Sequence, residues 1–209
     1  ATWDINGGET SEKVTASGVT LGAGYNAGPL SIGASFDYLR NKQKVTGVTT
    51  ADDKTKAWNL GAAYDLDVVK LHAIVGQQRD GVIGGLGLAD DLFDNMGKIG
   101  VNIPAPGGKG LRQTSWLAGI SAPVGDAGKV LFSYTGNRIK HTDAAVLGSA
   151  DARIKTNVFS LGYQHNLSKR TQVYAVASYG QSKLTEVAPG AADIKLKSTD
   201  VAVGLQHRF

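Results

Sequence analysis

Residues 30–38 (LSIGASFDY) decide the fold of this chain. Leu30 and every second residue after it are apolar or aromatic, whereas the residues between them are small or polar: Ser31, Gly33, Ser35 and Asp37. A strand points successive side chains to opposite faces, and a helix would spread the same residues around its axis. The stretch therefore predicts a β-strand with one apolar face and one polar face.

The same alternation recurs along the chain, and we interpret it as about nine strands. They are predicted near residues 17–26, 30–40, 56–65, 68–78, 113–122, 129–138, 156–165, 171–182 and 198–209. The connections alternate between short (26–29, 65–67, 123–128, 166–170) and long (41–55, 79–112, 139–155, 183–197). Short turns on one side and long loops on the other are typical of outer-membrane barrels. The pattern favours an all-β, antiparallel transmembrane β-barrel over a soluble β-sandwich binding module, which is the alternative.

Six tyrosines share the apolar parity and lie near predicted strand ends: Tyr25, Tyr38, Tyr64, Tyr134, Tyr163 and Tyr179. In a bilayer such residues form an interfacial girdle, with the ring in the lipid and the hydroxyl group at the headgroups. Cross-strand aromatic pairing in a soluble sheet is the alternative. The clustering toward strand ends favours the girdle.

The composition excludes several other classes of protein. The 209 residues contain no cysteine, so there is no disulfide framework and no thiolate metal site. The net charge of +4 is spread over mixed charges, and no basic block indicates nucleic-acid binding. No apolar run approaches the ~18–20 residues of a membrane helix, which a barrel strand does not need. The four histidines lack metal-ligand spacing, so we expect neither a metal nor a cofactor.

The end of the chain resembles a known family. Residues 203–209 (VGLQHRF) resemble the C-terminal strand of Gram-negative porins, where a terminal aromatic residue and alternating apolar residues form the assembly signal. Phe209, Leu205 and Val203 fit that signal, whereas His207 stands where a more apolar residue is frequent. Residues 161–174 (LGYQHNLSKRTQVY) and 120–129 (ISAPVGDAGK) resemble periplasmic turns of general porins of the beta-proteobacterial type.

This resemblance implies a trimeric, sixteen-stranded barrel in the outer membrane of a Gram-negative bacterium. Such a barrel is a water-filled channel for passive diffusion of small hydrophilic solutes and ions. The implied partners are outer-membrane lipid or lipopolysaccharide, further copies of the chain in a homotrimer, and the barrel-assembly machinery during biogenesis, but no nucleic acid. The constriction loop of the family belongs to its N-terminal half, for which the sequence shows no match.

The resemblance also bears on domain organisation. We expect residues 1–209 to be the C-terminal part of a single porin barrel domain that ends in the terminal strand 198–209, and we expect the mature protein to be longer. Residues 1–5 (ATWDI) alternate as well and give a possible tenth strand. A complete ten-stranded barrel with an enzymatic (lipase- or protease-like) or binding role is the alternative.

Charged or polar residues assigned to the inward parity are the candidates for pore lining: Asp37, Arg40, Lys70, His72, Lys129, Asp200 and Arg208. A porin catalyses no reaction and needs only a wet, charged lumen. The set has more cations than anions, which predicts a modest preference for anions, and the resemblance weakly implies the same. For any one residue, a solvated side chain without effect on selectivity is the alternative. A loss of enzymatic activity on substituting His72 would indicate an outer-membrane enzyme instead.

Overall fold

The computed structural model describes residues 2–6, 11–45, 48–81, 109–142, 153–185 and 193–209. Within these ranges the chain forms ten strands, which confirms the all-β prediction. They are β1 (Thr2–Asn6), β2 (Ser11–Ala27), β3 (Leu30–Val45), β4 (Val48–Asp65), β5 (Lys70–Arg79), β6 (Leu111–Val124), β7 (Gly128–His141), β8 (Arg153–Asn166), β9 (Thr171–Thr185) and β10 (Ile194–His207).

The ten strands form one antiparallel sheet in chain order, from β1 to β10. The possible tenth strand at residues 1–5 is therefore present as β1, which pairs with the start of β2. Among the described strands, β1 and β10 are the two edges, because each has a single paired neighbour. The described residues contain no helix with the length and hydropathy required to cross a membrane.

Tight turns connect the strands at one end of the sheet, which we call the turn end. Gly28 and Gly125 have φ angles of 53° and 61°, a left-handed conformation that glycine adopts without a Cβ penalty. Asp67 has a φ of 64°, and its backbone N–H donates to the Asp65 carboxylate at 3.1 Å. Between β8 and β9, the Ser168 hydroxyl accepts from the backbone N–H of Thr171 at 3.0 Å. The four predicted short connections are confirmed.

The opposite end of the sheet, the loop end, carries the connections 80–110, 142–152 and 186–193. The predicted long connection at residues 41–55 is wrong, because β3 continues to Val45 and β4 begins at Val48. The two strands stay hydrogen-bonded through this stretch, with one register irregularity between Gln43 and Lys44. Charged residues end the apolar alternation after Tyr38, but outside a membrane both faces of a hairpin can meet water. Backbone pairing therefore continues where the hydrophobic signal stops.

Candidate pore surface and the two faces of the sheet

One face of the sheet, the apolar face, exposes large hydrophobic side chains from nearly every strand. Val201 and Val203 in β10 are 74% and 78% exposed. Other exposed members are Leu21, Tyr25, Phe36, Trp58, Leu60, Tyr64, Phe132, Leu161, Tyr163 and Tyr179. Exposed apolar area of this extent indicates a surface that is covered by another apolar phase rather than by water.

Aromatic residues on the apolar face serve two purposes. Tyr25, Tyr64 and Tyr163 are exposed close to the turn end, as expected for a girdle. Tyr134 instead stacks on Phe159 of the next strand at 5.0 Å between ring centroids, and its hydroxyl donates to Asn157 at 2.7 Å. The cross-strand pairing considered as an alternative therefore occurs at Tyr134.

The other face, the polar face, carries short hydrogen bonds between neighbouring strands. Ser160 and Ser178 share a hydrogen bond of 2.8 Å. Toward the turn end, Gln172 accepts from Gln164 and donates to Gln206, which links β8, β9 and β10. These contacts join side chains directly opposite or nearly opposite each other, which is the usual unit of sheet stabilisation.

Five of the seven predicted pore-lining residues lie on the polar face by strand alternation: Asp37, Lys70, His72, Lys129 and Asp200. Arg208 follows β10 directly and lines a groove with Gln172 and Gln206 of the polar face. Asp37 accepts a hydrogen bond from Thr20 at 2.7 Å, and Asp200 accepts one from Ser198 at 2.7 Å. The ring of His72 lies 3.3 Å from the Ser121 hydroxyl. Whether these residues line a pore stays a prediction.

The assignment of Arg40 to this set is wrong. Arg40 has the parity of Phe36 and Tyr38, so it lies on the apolar face at the loop end. Its guanidinium group forms a two-pronged ion pair with Asp52, at 2.7 and 2.6 Å. The pair belongs to the part of the β3–β4 hairpin that extends beyond the apolar residues, where this hydrogen bond holds the pKa of the Asp52 carboxyl group below its usual value.

The structure brings Lys70 and Lys129 together in one groove at the turn end, which Ser121 also lines. The same groove contains acids that the sequence interpretation did not include. Asp65 lies 3.8 Å from the Lys70 ammonium group, and its side chain also accepts from the following turn. With Arg40 removed and Asp65 added, the polar face no longer has the excess of cations that the sequence suggested.

Arg208 lies in a second groove at the turn end, together with Lys169 and Arg170 of the β8–β9 turn. The remaining lining residues are uncharged: Asn166, Ser168, Thr171, Gln172 and Gln206. Three cations therefore meet there without an acid among the lining residues. The separate positions of Lys169 and Arg208 in the sequence gave no sign of this cluster.

A row of aliphatic side chains on the polar face was also missed. Ile139, Ile154 and Leu184 lie directly opposite one another in β7, β8 and β9, and each is at most 1% exposed. Leu111 in β6 is equally buried nearby. The available signal was their parity, because these residues are apolar at positions that the alternation assigns to the polar face.

The C-terminal residues proposed as an assembly signal follow the apolar face. Leu205 is 63% exposed, and Phe209 is fully exposed. The Phe209 ring makes an edge-to-face contact with His207, with 4.9 Å between the ring centroids. His207 also lies 2.9 Å from the Thr171 hydroxyl, so the departure from an apolar residue is compensated by a cross-strand hydrogen bond. Recognition by an assembly machinery stays a prediction.

No cluster of three or more potential metal ligands from His, Cys, Asp and Glu occurs in the parts of the chain that the structure describes. A sheet with one exposed apolar face, one polar face, short turns at one end and long connections at the other defines the wall of an outer-membrane β-barrel. The chain matches the family model of Gram-negative porins over residues 1–185, and it belongs to that family. It is accordingly a protein of the outer membrane of a Gram-negative bacterium.

Two curated relatives support this assignment. The chain is 36% identical over 205 residues to an outer membrane porin protein of Bordetella pertussis, a match that covers 96% of this chain and 48% of that protein. It is 31% identical over 196 residues to the outer membrane porin protein 32 of Delftia acidovorans, covering 88% and 44%. The chain thus spans about half the length of these relatives, and it matches their C-terminal part.

Solved structures show the same fold. OmpT of Vibrio cholerae, an outer membrane protein folded in vitro, superposes with a TM-score of 0.60 at 12% identity, over 99% of this chain and 62% of that one. Its trimer form superposes with a TM-score of 0.57, over 98% and 62%. At this identity the likeness concerns the fold alone.

Proposed function

We propose that the protein forms a water-filled channel for passive diffusion of small hydrophilic solutes and ions, and that it is not an enzyme. The observation that carries this proposal is the segregation of the sheet into an exposed apolar face and a hydrogen-bonded polar face. A wall of this kind separates lipid from water without any catalytic group. The contact between His72 and Ser121 resembles part of a hydrolase site. A histidine in a wet lumen forms the same hydrogen bond without any catalytic role.

Conductance of the purified protein in planar lipid bilayers tests the channel. We expect stepwise insertion and ohmic currents, with heat-modifiable gel mobility as the control for folding. Folded protein that inserts without conducting would contradict the proposal. The His72→Ala variant should conduct as the wild type does, and a hydrolytic activity lost in that variant would favour an enzyme.

We further propose that residues 1–209 form part of a single sixteen-stranded barrel, as its C-terminal portion. An open edge in lipid leaves backbone N–H and C=O groups without partners, and β1 and β10 both have such an edge among the described strands. Additional strands would close it. A purified protein with an intact mass near 21.8 kDa would contradict this and favour a ten-stranded barrel.

The assembly that we propose is a homotrimer embedded in outer-membrane lipid, inserted by the barrel-assembly machinery through Phe209, Leu205 and Val203. The trimer form of the Vibrio protein supports the oligomer by likeness of fold. Crosslinking in mild detergent should yield trimers. Monomers alone under those conditions would contradict the assembly, and normal insertion of a Phe209→Ser variant would contradict the role of the terminal residue.

Finally, we propose a modest anion preference that depends on the second groove at the turn end, the one that Arg208 lines. Lys169, Arg170 and Arg208 meet there without an acidic lining residue. A cationic mouth with low-dielectric walls raises the local anion concentration. The excess of positive charge is confined to this groove and does not extend over the whole polar face. The acids Asp37, Asp65 and Asp200 share that face with Lys70 and Lys129.

A further inference from the structure

Tyr174 of β9 is a tyrosine on the polar face of the sheet. In the register it lies between Gln164 of β8 and Gly204 of β10, whereas the six tyrosines predicted to form the girdle have the apolar parity. Its ring lies across Gly204, where a Cβ atom would overlap the hydroxyl end of the ring. Tyr174 is still 42% exposed. The ring therefore rests on β10 and is open to the side of the sheet that we propose as the lumen.

Three glutamine side chains adjoin this ring on the polar face and form what we call the amide ladder. Gln164 donates to Gln172 at 2.5 Å, and Gln172 donates to Gln206. The Nε2 group of Gln206 has no hydrogen-bond partner among the described residues. The amide ladder therefore ends in a free donor, which suits a hydroxyl or an anionic oxygen.

The groove that Lys169, Arg170 and Arg208 line begins at this free end, because Gln172 and Gln206 line it too. Its volume is about 290 Å³, close to the lower end of the range of roughly 300–1,000 Å³ that is usual for small-molecule sites. Guanidinium and ammonium groups bind carboxylate and phosphate oxygens through charge-assisted hydrogen bonds. With three cations and no acid in its lining, the groove fits one anionic group.

The spacing of these parts limits the size of a ligand that contacts them all. Tyr174 is two residues from Gln172, and Gly204 is two residues from Gln206, or about 7 Å along each strand. The ring is thus about one sugar unit away from the groove. A free inorganic anion would contact the cations alone, and an aromatic acid would leave the amide ladder unused. A ring with several hydroxyl groups and one acidic group would use all three parts.

We propose that Tyr174, the amide ladder and the cationic groove form a binding site for an acidic monosaccharide, a sugar ring that carries a carboxylate or phosphate group. The C–H face of the sugar packs on the electron-rich face of the Tyr174 ring, its hydroxyl groups bond the amides, and its acidic group contacts the cations. The inference rests on the proposed channel and names a solute class for it. Short turns of such barrels face the periplasm, which puts the site at the periplasmic mouth.

The test is calorimetric titration of the folded full-length protein in non-ionic detergent with glucuronate and with glucose 6-phosphate. At least one of them should bind saturably and at least about tenfold more tightly than glucose, inorganic phosphate or benzoate. Preference for glucuronate would assign the acidic group as a carboxylate, and preference for glucose 6-phosphate would assign it as a phosphate. Inorganic phosphate or benzoate binding as tightly as both acidic sugars would overturn the proposal.

The contribution of the ring is measured with Tyr174→Ala, which should weaken binding of the acidic sugar about fivefold to tenfold. Tyr174→Phe keeps the ring and should bind nearly as the wild type does. The matched control is Tyr179→Ala, in the same strand but on the apolar face, and its affinity should be unchanged. Unchanged affinity in Tyr174→Ala would overturn the proposal.

A second variant tests the same ring without removing it. Gly204→Ala places a Cβ atom where the Tyr174 ring lies, so the ring must move and the acidic sugar should bind more weakly. This variant keeps the proposal testable if Tyr174→Ala folds poorly. Wild-type affinity in folded Gly204→Ala would contradict the role of the ring position. Replacing Lys169 and Arg170 with glutamine should reduce the affinity for the acidic sugar toward that for glucose, and no reduction would contradict the role of the groove.

Conductance in planar bilayers separates this site from the proposed channel. A wild type that binds the acidic sugar without conducting would refute the channel and leave the site intact. A wild type that conducts but binds the acidic sugars no better than glucose would refute the site and leave the channel intact.

Discussion

The indole ring of Trp116 lies across Gly136, the residue directly opposite it in the neighbouring strand β7. A Cβ atom at position 136 would overlap the ring, so the aromatic side chain occupies the space that a larger residue would need. The glycine thereby allows a large aromatic residue to lie flat against the sheet instead of projecting from it.

Gly136→Val should therefore destabilise the folded barrel by about 1–3 kcal/mol, the usual cost of overpacking. Gly33→Val is the control, because nothing lies within 4 Å of a Cβ built at Gly33. The measurement is the urea midpoint of unfolding in detergent or lipid. Equal midpoints for the two variants would show that Trp116 moves aside without cost.

The buried aliphatic row predicts a difference between two leucines on the polar face. Leu184 is fully buried, whereas Leu39 on the same face is 48% exposed. Leu184→Ala should cost about 2–5 kcal/mol through lost burial and the cavity left behind, and Leu39→Ala much less. Both values come from the same urea titration. A cost at Leu39 that matches the cost at Leu184 would contradict the burial of the row.

Asp37 and Arg40 lie on opposite faces of the sheet, so a reagent in the channel should reach only Asp37. The chain has no cysteine, so single-cysteine variants Asp37→Cys and Arg40→Cys report on one position each. A negatively charged, membrane-impermeant thiol reagent should change single-channel conductance in Asp37→Cys and leave it unchanged in Arg40→Cys. The reverse outcome would place Arg40 in the lumen after all.

The groove lined by Lys169, Arg170 and Arg208 predicts the ion selectivity of the channel. Under a potassium chloride gradient, the reversal potential should indicate a modest anion preference that shrinks as salt rises, because charges are screened over about 8–10 Å at physiological ionic strength. Charge reversal of Lys169, Arg170 and Arg208 together should abolish the preference, whereas Arg40→Glu on the apolar face should not. A cation-selective wild type would show that other parts of the lumen dominate.

Most of the sheet follows from the sequence because a membrane wall imposes a strict period of two. Residues 30–38 identify their strand unaided, and the apolar residues of β10 do the same. The strand prediction failed where the chain extends beyond the membrane, because lipid no longer requires apolar residues on one face. The paired extension after Tyr38 has no apolar face to mark it, and Arg40 was assigned to the lumen for its charge although its parity matches Tyr38.

The residues of the candidate site were harder to place than the strands. Alternation gives a residue's face but not its neighbours, so it could not bring Arg208 beside Lys169 or Asp65 beside Lys70. The same limit concealed a row of cations on the apolar face, which are far apart in the sequence and meet only through the register: Lys56, Arg79, Arg112, Lys140 and Arg153. Ile139, Ile154 and Leu184 broke the alternation, yet burial on the polar face depends on tertiary packing that no periodicity encodes.

The strict chain order of the sheet has a consequence for how it folds. Among the described residues, every strand pairs only with its neighbours in the sequence, so the sheet can grow by adding one hairpin at a time, with few distant pairings to slow the search. The cost of each step then depends on the length of the connection. Closing residues 80–110 costs about 1 kcal/mol more in chain entropy than closing residues 142–152. On this measure, the hairpin of β5 and β6 is the slowest of the described hairpins to close.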